Sequence, residues 1–174
     1  MIQTGTELDK LRSITTGEPC GGFPKGALLV LAGEPDADAC LELTLEALRG
    51  SGKSAVIVDA TATNGQVQLD GSYLVHVPSF KIVPALLREL QRSDFEVLVL
   101  HSLDAWDDWD QPGVILELVE QAQVNEITLV LHTKMLRDTL YFGDQMLRSW
   151  AGVVLKVDDE QQRCTWLSGY DFIL

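Results

Sequence analysis

The feature that most constrains the fold of this chain is a regular alternation of short apolar runs with amphipathic segments. The apolar runs have the length and Val/Ile/Leu content of β-strands and lie at residues 27–32, 55–59, 73–77, 96–101, 127–132, 152–157 and 163–167. Segments with helical spacing of apolar residues separate most of them, at 39–49, 82–91, 114–124 and 144–150. Such strands, joined through amphipathic helices, are typical of a parallel sheet covered on both faces.

The sequence therefore predicts an α/β fold with a mainly parallel central sheet, helices on both faces and a C-terminal antiparallel hairpin. We expect one domain over residues 1–174, with a short N-terminal segment at 1–13 and a C-terminal tail at 168–174. A hydrophobic fraction of 46% in 174 residues is enough to bury a sizeable core. The last predicted strand pairs with the one before it across the acidic turn at 158–161.

Composition also bounds the cellular setting. The apolar runs are too short to span a bilayer, and the chain does not start with the basic and then apolar pattern of a signal peptide. Three cysteines, Cys20, Cys40 and Cys164, have no paired spacing, so neither a disulfide framework nor a metal site is predicted. The sequence therefore predicts a cytoplasmic protein without a cofactor.

The charge balance argues against direct binding of nucleic acid. The chain has 13 Lys and Arg against 26 Asp and Glu, a net charge of −13. Proteins that hold nucleic acid need clustered positive charge to neutralise phosphates, whereas the basic residues here are dispersed. An acidic surface also keeps a protein soluble, so the charge by itself assigns no function.

A phosphate-binding loop is expected after the first strand, but its chemistry is missing. The strand ends at Gly33 and a helix follows, which is the setting of the P-loop G-x-x-x-x-G-K-[ST]. Alignment on Gly33 puts Asp38 at the second glycine, Ala39 at the lysine and Cys40 at the Ser/Thr. With Asp36 also in the loop, carboxylates replace the cation, and a triphosphate would be repelled.

The run at residues 50–54 ends like a second P-loop, but Ala47 stands where the first glycine belongs. It also follows a helix and leads into a strand, which is the reverse of the required order. The run is therefore predicted to be a helix C-cap at Gly50 and a turn.

An ordered set of motifs resembles the RecA/KaiC-type ATPase core over residues 12–158. The opening 14–17, 21–26 and 33–35 resembles the run that leads into the P-loop of that family. Residues 52–60 resemble its second core strand, and 94–103 resemble its Walker B strand. Residues 142–147 with 150–157 are similar to the late helix and strand of bacterial RecA. The resemblance implies a single RecA-like domain.

The departures from that family concern its functional residues. Where active members have a glutamate that polarises the attacking water, this chain has Thr61. Where they have the Walker B aspartate that helps to hold Mg²⁺, it has His101, a poor ligand for a hard cation. The changes at Asp38, Ala39 and Cys40 remove the remaining charge neutralisation that phosphoryl transfer requires. The sequence thus predicts a RecA-like pseudo-ATPase that is not an enzyme.

A rival interpretation is that the crevice at the strand ends holds a catalytic or metal-binding site of another kind. His101 and His132 end strands that we expect to be neighbours, and with Cys40 they would form an acid–base or metal-binding group. The alternative is that these histidines, and His76, are polar residues that cap strands, because no third ligand has suitable spacing. Carboxylates at Asp36 and Asp38 oppose activation of the Cys40 thiol.

The segment 103–113 carries the predicted partner-binding residues Trp106 and Trp109, among four aspartates and before Pro112. Exposed aromatic residues are enriched at protein interfaces, although one tryptophan could instead cap the core. Phe172 and Leu174 in the apolar C-terminus are further predicted docking residues.

The predicted function follows from the resemblance: a non-catalytic RecA-like protein acting through protein contacts in DNA-damage response, recombination or translesion synthesis. The resemblance implies partners such as a RecA-like subunit, a DNA polymerase accessory factor or a division protein, and homo- or hetero-oligomers. Relatives would include ImuA-like proteins, which assist translesion polymerases. The alternatives are a SulA-like inhibitor of cell division, or the enzyme using His101, His132 and Cys40.

Overall fold

The computed structural model describes residues 28–51, 54–60, 72–90, 95–160 and 163–169. Eight strands are present in this part of the chain: β1 Leu28–Glu34, β2 Ala55–Asp59, β3 Ser72–His76, β4 Val97–His101, β5 Thr128–Arg137, β6 Leu140–Tyr141, β7 Ala151–Asp158 and β8 Arg163–Gly169. Four α-helices accompany them: α1 Asp38–Ser51, α2 Val83–Leu90, α3 Pro112–Val124 and α4 Asp144–Leu147. Two short 3-10 turns lie at Phe80–Ile82 and Leu103–Ala105.

The strands form one sheet in the order β3-β2-β4-β5-β1-β7-β8, and β6 pairs with β5 beside this path. The pairs among β1 to β5 and the pair β1–β7 are parallel, whereas β7–β8 and β5–β6 are antiparallel. The predicted α/β architecture with its C-terminal hairpin is therefore confirmed.

Alternate residues of the central strands build two apolar cores, one on each face of the sheet. On one face, α1 contributes Cys40, Leu45 and Leu48, which pack with Leu31 and Val99 of the strands. On the other face, residues of α2, α3 and α4 pack with the opposite set of strand residues. Burial on both faces explains why these strands are apolar at every position rather than at every second one.

Several boundaries differ from the sequence prediction. β5 was expected to end at His132, but it continues to Arg137 and turns back into β6. Thr133 stabilises this extension, because its hydroxyl donates a hydrogen bond of 2.7 Å to the Phe142 carbonyl. The last helix is a single turn, Asp144–Leu147, rather than a helix reaching residue 150. Helix α1 ends at Ser51, beyond the C-cap predicted at Gly50.

Candidate functional site

The loop between β1 and α1 satisfies the helix N-terminus with the protein's own groups. The Asp36 carboxylate accepts a hydrogen bond of 2.9 Å from the Asp38 N–H. The carbonyl oxygens of Asp36 and Ala37 accept from the N–H groups of Ala39 and Cys40, at 3.3 and 3.0 Å. These are the free donors that a helix N-terminus offers to an anion, so the protein itself already occupies that position.

Gly33 shows how tightly this loop closes on the end of β1. A Cβ atom on Gly33 would lie 2.0 Å from the Asp36 carbonyl oxygen and 3.0 Å from Cys40 Sγ. Only glycine fits beneath such a close backbone approach. The interior of the loop therefore presents a carbonyl oxygen, an acceptor, at the place where a phosphate would need donors.

Beneath the loop, a chain of polar contacts links α1 to β4 and β5. Asp38 Oδ1 lies 2.9 Å from His101 Nε2, and the two Nδ1 atoms of His101 and His132 lie 2.9 Å apart. His132 Nε2 lies 2.8 Å from the Thr44 hydroxyl, which also lies 2.9 Å from the Cys40 carbonyl oxygen. The imidazole rings meet edge to face. We call these four side chains, Asp38, His101, His132 and Thr44, the histidine chain.

The number of available hydrogens restricts how the histidine chain is protonated. Thr44 has one hydroxyl hydrogen, so it can donate either to Cys40 or to His132. When it donates to Cys40, His132 donates from Nε2 and accepts at Nδ1, and His101 then donates from both of its nitrogens. When it donates to His132 instead, His132 donates from Nδ1 to His101, and His101 donates from Nε2 to the Asp38 carboxylate. His132 is a neutral ring in both arrangements.

Burial also favours the neutral form of His132, which is fully buried. Burial, and secondly electrostatic repulsion from His101, hold the pKa of His132 well below its ordinary value.

Because the pKa of His132 is lowered, the folded protein should become less stable as the pH falls. In the unfolded chain His132 binds a proton as the pH falls through about 6.5, whereas in the folded chain it resists doing so. Below that pH the unfolded state therefore binds more protons, and the free energy of unfolding drops by up to about 1.4 kcal/mol per pH unit from this group. Above about pH 6.5 His132 is neutral in both states, and its contribution to the free energy of unfolding does not change with pH.

Urea unfolding of the wild type and of His132→Leu between pH 7 and pH 5 would measure this slope, with carboxylate titration common to both proteins. The variant should lose less stability over that range, by up to about 1.4 kcal/mol per unit. Parallel curves for the two proteins would contradict the proposed neutral state of His132.

Some residues of the predicted degenerate nucleotide site lie together in the structure. Gly33, Asp38, Cys40 and His101 meet at the end of β1, and Ala39 lies half-buried beside them on α1. Thr61, the fifth departure from the family pattern, lies outside the described residues, as do Phe172 and Leu174. His76 is exposed at the end of β3.

The arrangement gives little support to reactive chemistry at Cys40, His101 and His132. The Cys40 thiol is fully buried, and Sγ lies 3.4 Å from the Leu31 carbonyl oxygen. Both rings are buried and use their nitrogens within the histidine chain. In the described part of the chain, no group of three or more His, Cys, Asp or Glu side chains could hold a metal ion.

The two predicted interface tryptophans differ in their surroundings. Trp106 is 1% exposed, its Nε1–H donates to the Val77 carbonyl oxygen at 2.9 Å, and its ring meets Phe80 edge to face. This burial contradicts the prediction that Trp106 contacts a partner, because the ring belongs to the core. Trp109 is only half-buried, with its ring centroid 4.8 Å from that of Phe142.

Sequence reasoning missed Thr44, which completes the histidine chain. Thr44 follows Cys40 by one helical turn and precedes Leu48 by another, so it stands in the buried stripe of α1. A polar residue at an apolar position of a helix is the signal that could have identified it. Asp59, 2% exposed and opposite His101 in the β2–β4 register, was also missed.

Comparison of the structure with solved structures identifies the architecture. The chain is similar to the crystal structure of the RadB recombinase, with a TM-score of 0.60 and 20% sequence identity over 91% of this chain and 83% of that one. The fold is RecA-like. No family model matches the sequence, and no curated protein matches it. Among the described residues, no helix combines the length and apolar character needed to cross a bilayer.

Proposed function

We propose that this chain is a RecA-like protein that neither holds nor hydrolyses nucleotide at the usual site and acts through contacts with other proteins. The observation that carries this proposal is the closed β1–α1 loop. There the Asp36 carboxylate caps the N-terminus of α1, and the histidine chain lies directly beneath. A bound triphosphate would have to displace the protein's own hydrogen bonds and face two carboxylates.

The nearby lysines do not offset this repulsion. Lys156, which is paired in register with Ala32, forms an ion pair of 3.0 Å with Glu34. Lys134, paired in register with Gly33, lies 3.5 Å from Asp104 and over the Phe142 ring. Both cations are therefore engaged with the protein, and neither takes the part of a P-loop lysine.

The biological setting that we propose follows from the fold. A recombinase shares this RecA-like architecture, so we assign the chain an accessory or regulatory role in recombination, DNA-damage response or translesion synthesis. The net charge of −13 favours a protein partner over DNA in that role, because an acidic surface repels phosphates. Partners of this kind include an active RecA-like subunit or a polymerase accessory factor.

The proposal predicts that ATP with Mg²⁺ leaves the thermal unfolding of the protein unchanged. A ligand present at about 100 times its Kd would stabilise the folded state by about 2.7 kcal/mol, which is readily detected. Differential scanning fluorimetry with millimolar ATP–Mg²⁺, together with a phosphate-release assay, would measure binding and hydrolysis. An active RecA-family ATPase provides the positive control.

A saturable stabilisation by ATP–Mg²⁺, or phosphate release above the background, would overturn the proposal. Zn²⁺ in a parallel titration tests the rival enzyme that uses His101, His132 and Cys40. A saturable Zn²⁺ effect that disappears in His101→Leu would support that rival instead.

A further inference from the structure

A second feature of the surface lies apart from the closed loop. An open groove with a volume of about 630 Å³ lies between the segment that leads into α3, the β5–β6 hairpin and α4. Its apolar lining includes Trp109, Leu136, Leu140, Met146 and Trp150. Its volume lies within the range of ligand-binding clefts, and clustered apolar side chains at a surface are one mark of interaction sites.

The walls of the groove are preformed. The half-buried ring of Trp109 is backed by Phe142 and lies close to Gly143, where a Cβ atom would come within 2.9 Å of Leu103 and 3.6 Å of Trp109. Gly143 has a φ of +89°, which favours glycine, so both conformation and space require it here. A fixed aromatic wall lowers the entropic cost of binding.

Leu136 makes the groove accessible from solvent. It is 53% exposed, near the end of β5, where the strand has left the main sheet and pairs only with β6 among the described residues. Large apolar side chains that stay exposed beside half-buried tryptophans are the kind of surface that protein partners bury.

The charges at the groove are of one sign. Asp110 and Asp144 are its charged lining residues, and no Lys or Arg is among the lining residues that the structure describes. Asp144 is neutralised within the protein, because it pairs with Arg148 and hydrogen-bonds Tyr141, whose pKa is raised mainly by burial and then by this carboxylate. Asp110 is exposed and has no ion pair within the described part of the chain, so it is available to a cation.

We propose that the Trp109–Trp150 groove binds a segment of a partner protein that presents a large apolar side chain next to an arginine or lysine. The apolar side chain would be buried among Trp109, Met146 and Trp150, and the cation would pair with Asp110. This inference rests on the proposed function as a binding protein and names the chemistry of its partner. A nucleic acid would bring phosphates to the same carboxylates and is disfavoured.

The test uses short fluorescent peptides of equal length and measures fluorescence polarisation. One peptide has a central tryptophan and leucine flanked by arginines, a second has glutamates in place of the arginines, and a third has serines in place of the apolar residues. We expect the first peptide alone to bind. Failure of the first peptide to bind, or equal binding of the second, would overturn the proposal.

Two variants locate the binding surface. Leu136→Ser removes exposed apolar area at the groove, and Asp110→Lys reverses an exposed charge there; each should weaken binding of the first peptide by about tenfold. The matched controls are Val124→Ser, at an apolar residue that is 81% exposed on α3, and Glu120→Lys on the exposed side of the same helix. Both controls should bind like the wild type, with unchanged circular dichroism spectra and melting temperatures for all four proteins.

Analytical sedimentation of the wild type and of Leu136→Ser tests whether the groove instead binds a second copy of this chain. Self-association that Leu136→Ser abolishes would assign the groove to a homotypic contact and overturn the proposal of a basic partner. The outcomes are separable from those of the nucleotide experiment. A failed peptide test with no ATP effect rejects the groove alone, whereas an ATP-induced stabilisation rejects the proposed function.

Discussion

Replacement of Trp106 by alanine is expected to lower the free energy of unfolding by about 3–5 kcal/mol, the largest single effect that we predict. The side chain is 1% exposed and belongs to the apolar core on the face that α2 and α3 cover. Its removal leaves a cavity and takes away the edge-to-face contact with Phe80, whose centroid lies 5.4 Å away. It also leaves the Val77 carbonyl oxygen without its indole donor. Urea unfolding monitored by circular dichroism would measure the loss.

Two further variants separate these contributions. Trp106→Phe keeps an aromatic ring against Phe80 but removes the donor to Val77, so it should cost about 1–3 kcal/mol, chiefly from the unpaired carbonyl. Trp109→Ala, at a half-buried position, should cost less than Trp106→Ala. A Trp106→Ala variant as stable as the wild type would show that the ring is not part of the core. Loss of a partner by this variant would reflect unfolding rather than a missing contact.

Trp106 also shows the limit of sequence reasoning at this site. Trp106 and Trp109 stand three residues apart in one acidic segment, and nothing in the pattern says which ring turns inward. The decision comes from the Val77 carbonyl and the Phe80 ring, which lie far away in sequence and are brought to Trp106 by the arrangement of β3 and β4 in the sheet. Long-range contacts of this kind leave no local signal.

The sheet itself was predictable because its signal is local. Continuous apolar strands with helices between them fixed the parallel core, and the pairing of the last two strands followed from a turn of four polar residues. The extension of β5 beyond His132 was missed because Thr133, Lys134 and Arg137 interrupt the apolar pattern there. That extension holds its place through contacts with the segment after β6, at Phe142.

The sequence shows that the segment from Gly33 to Cys40 has no lysine and no Ser/Thr, but it does not show how that segment folds. Asp38 and His101 were predicted to lie at one site, but the sequence gives no sign that their side chains bond to each other. In the folded chain they are joined by a hydrogen bond of 2.9 Å, although Asp38 is largely exposed and His101 is buried. Asp38 and His101 thus hold the first turn of α1 against β4.

The histidine chain supplies the second large prediction. His101→Leu should lower the free energy of unfolding by about 1–3 kcal/mol, because it leaves the buried Nδ1 of His132 without a partner. The same change releases Asp38 from β4. Thr44→Val probes the other end of the chain by removing the contact to His132 Nε2 while keeping a side chain of similar shape.

The double variant His101→Leu/His132→Leu distinguishes a coupled network from two independent packing positions. When both rings are replaced by apolar side chains, no imidazole nitrogen is left unsatisfied, and the Thr44 hydroxyl keeps its bond to the Cys40 carbonyl. The double variant should therefore lose less stability than the sum of the single variants, by about 0.5–3 kcal/mol of coupling. Strictly additive losses in a double-mutant cycle would mean that the 2.9 Å contact between the rings contributes no energy of its own. The two histidines would then be polar residues that the core merely tolerates.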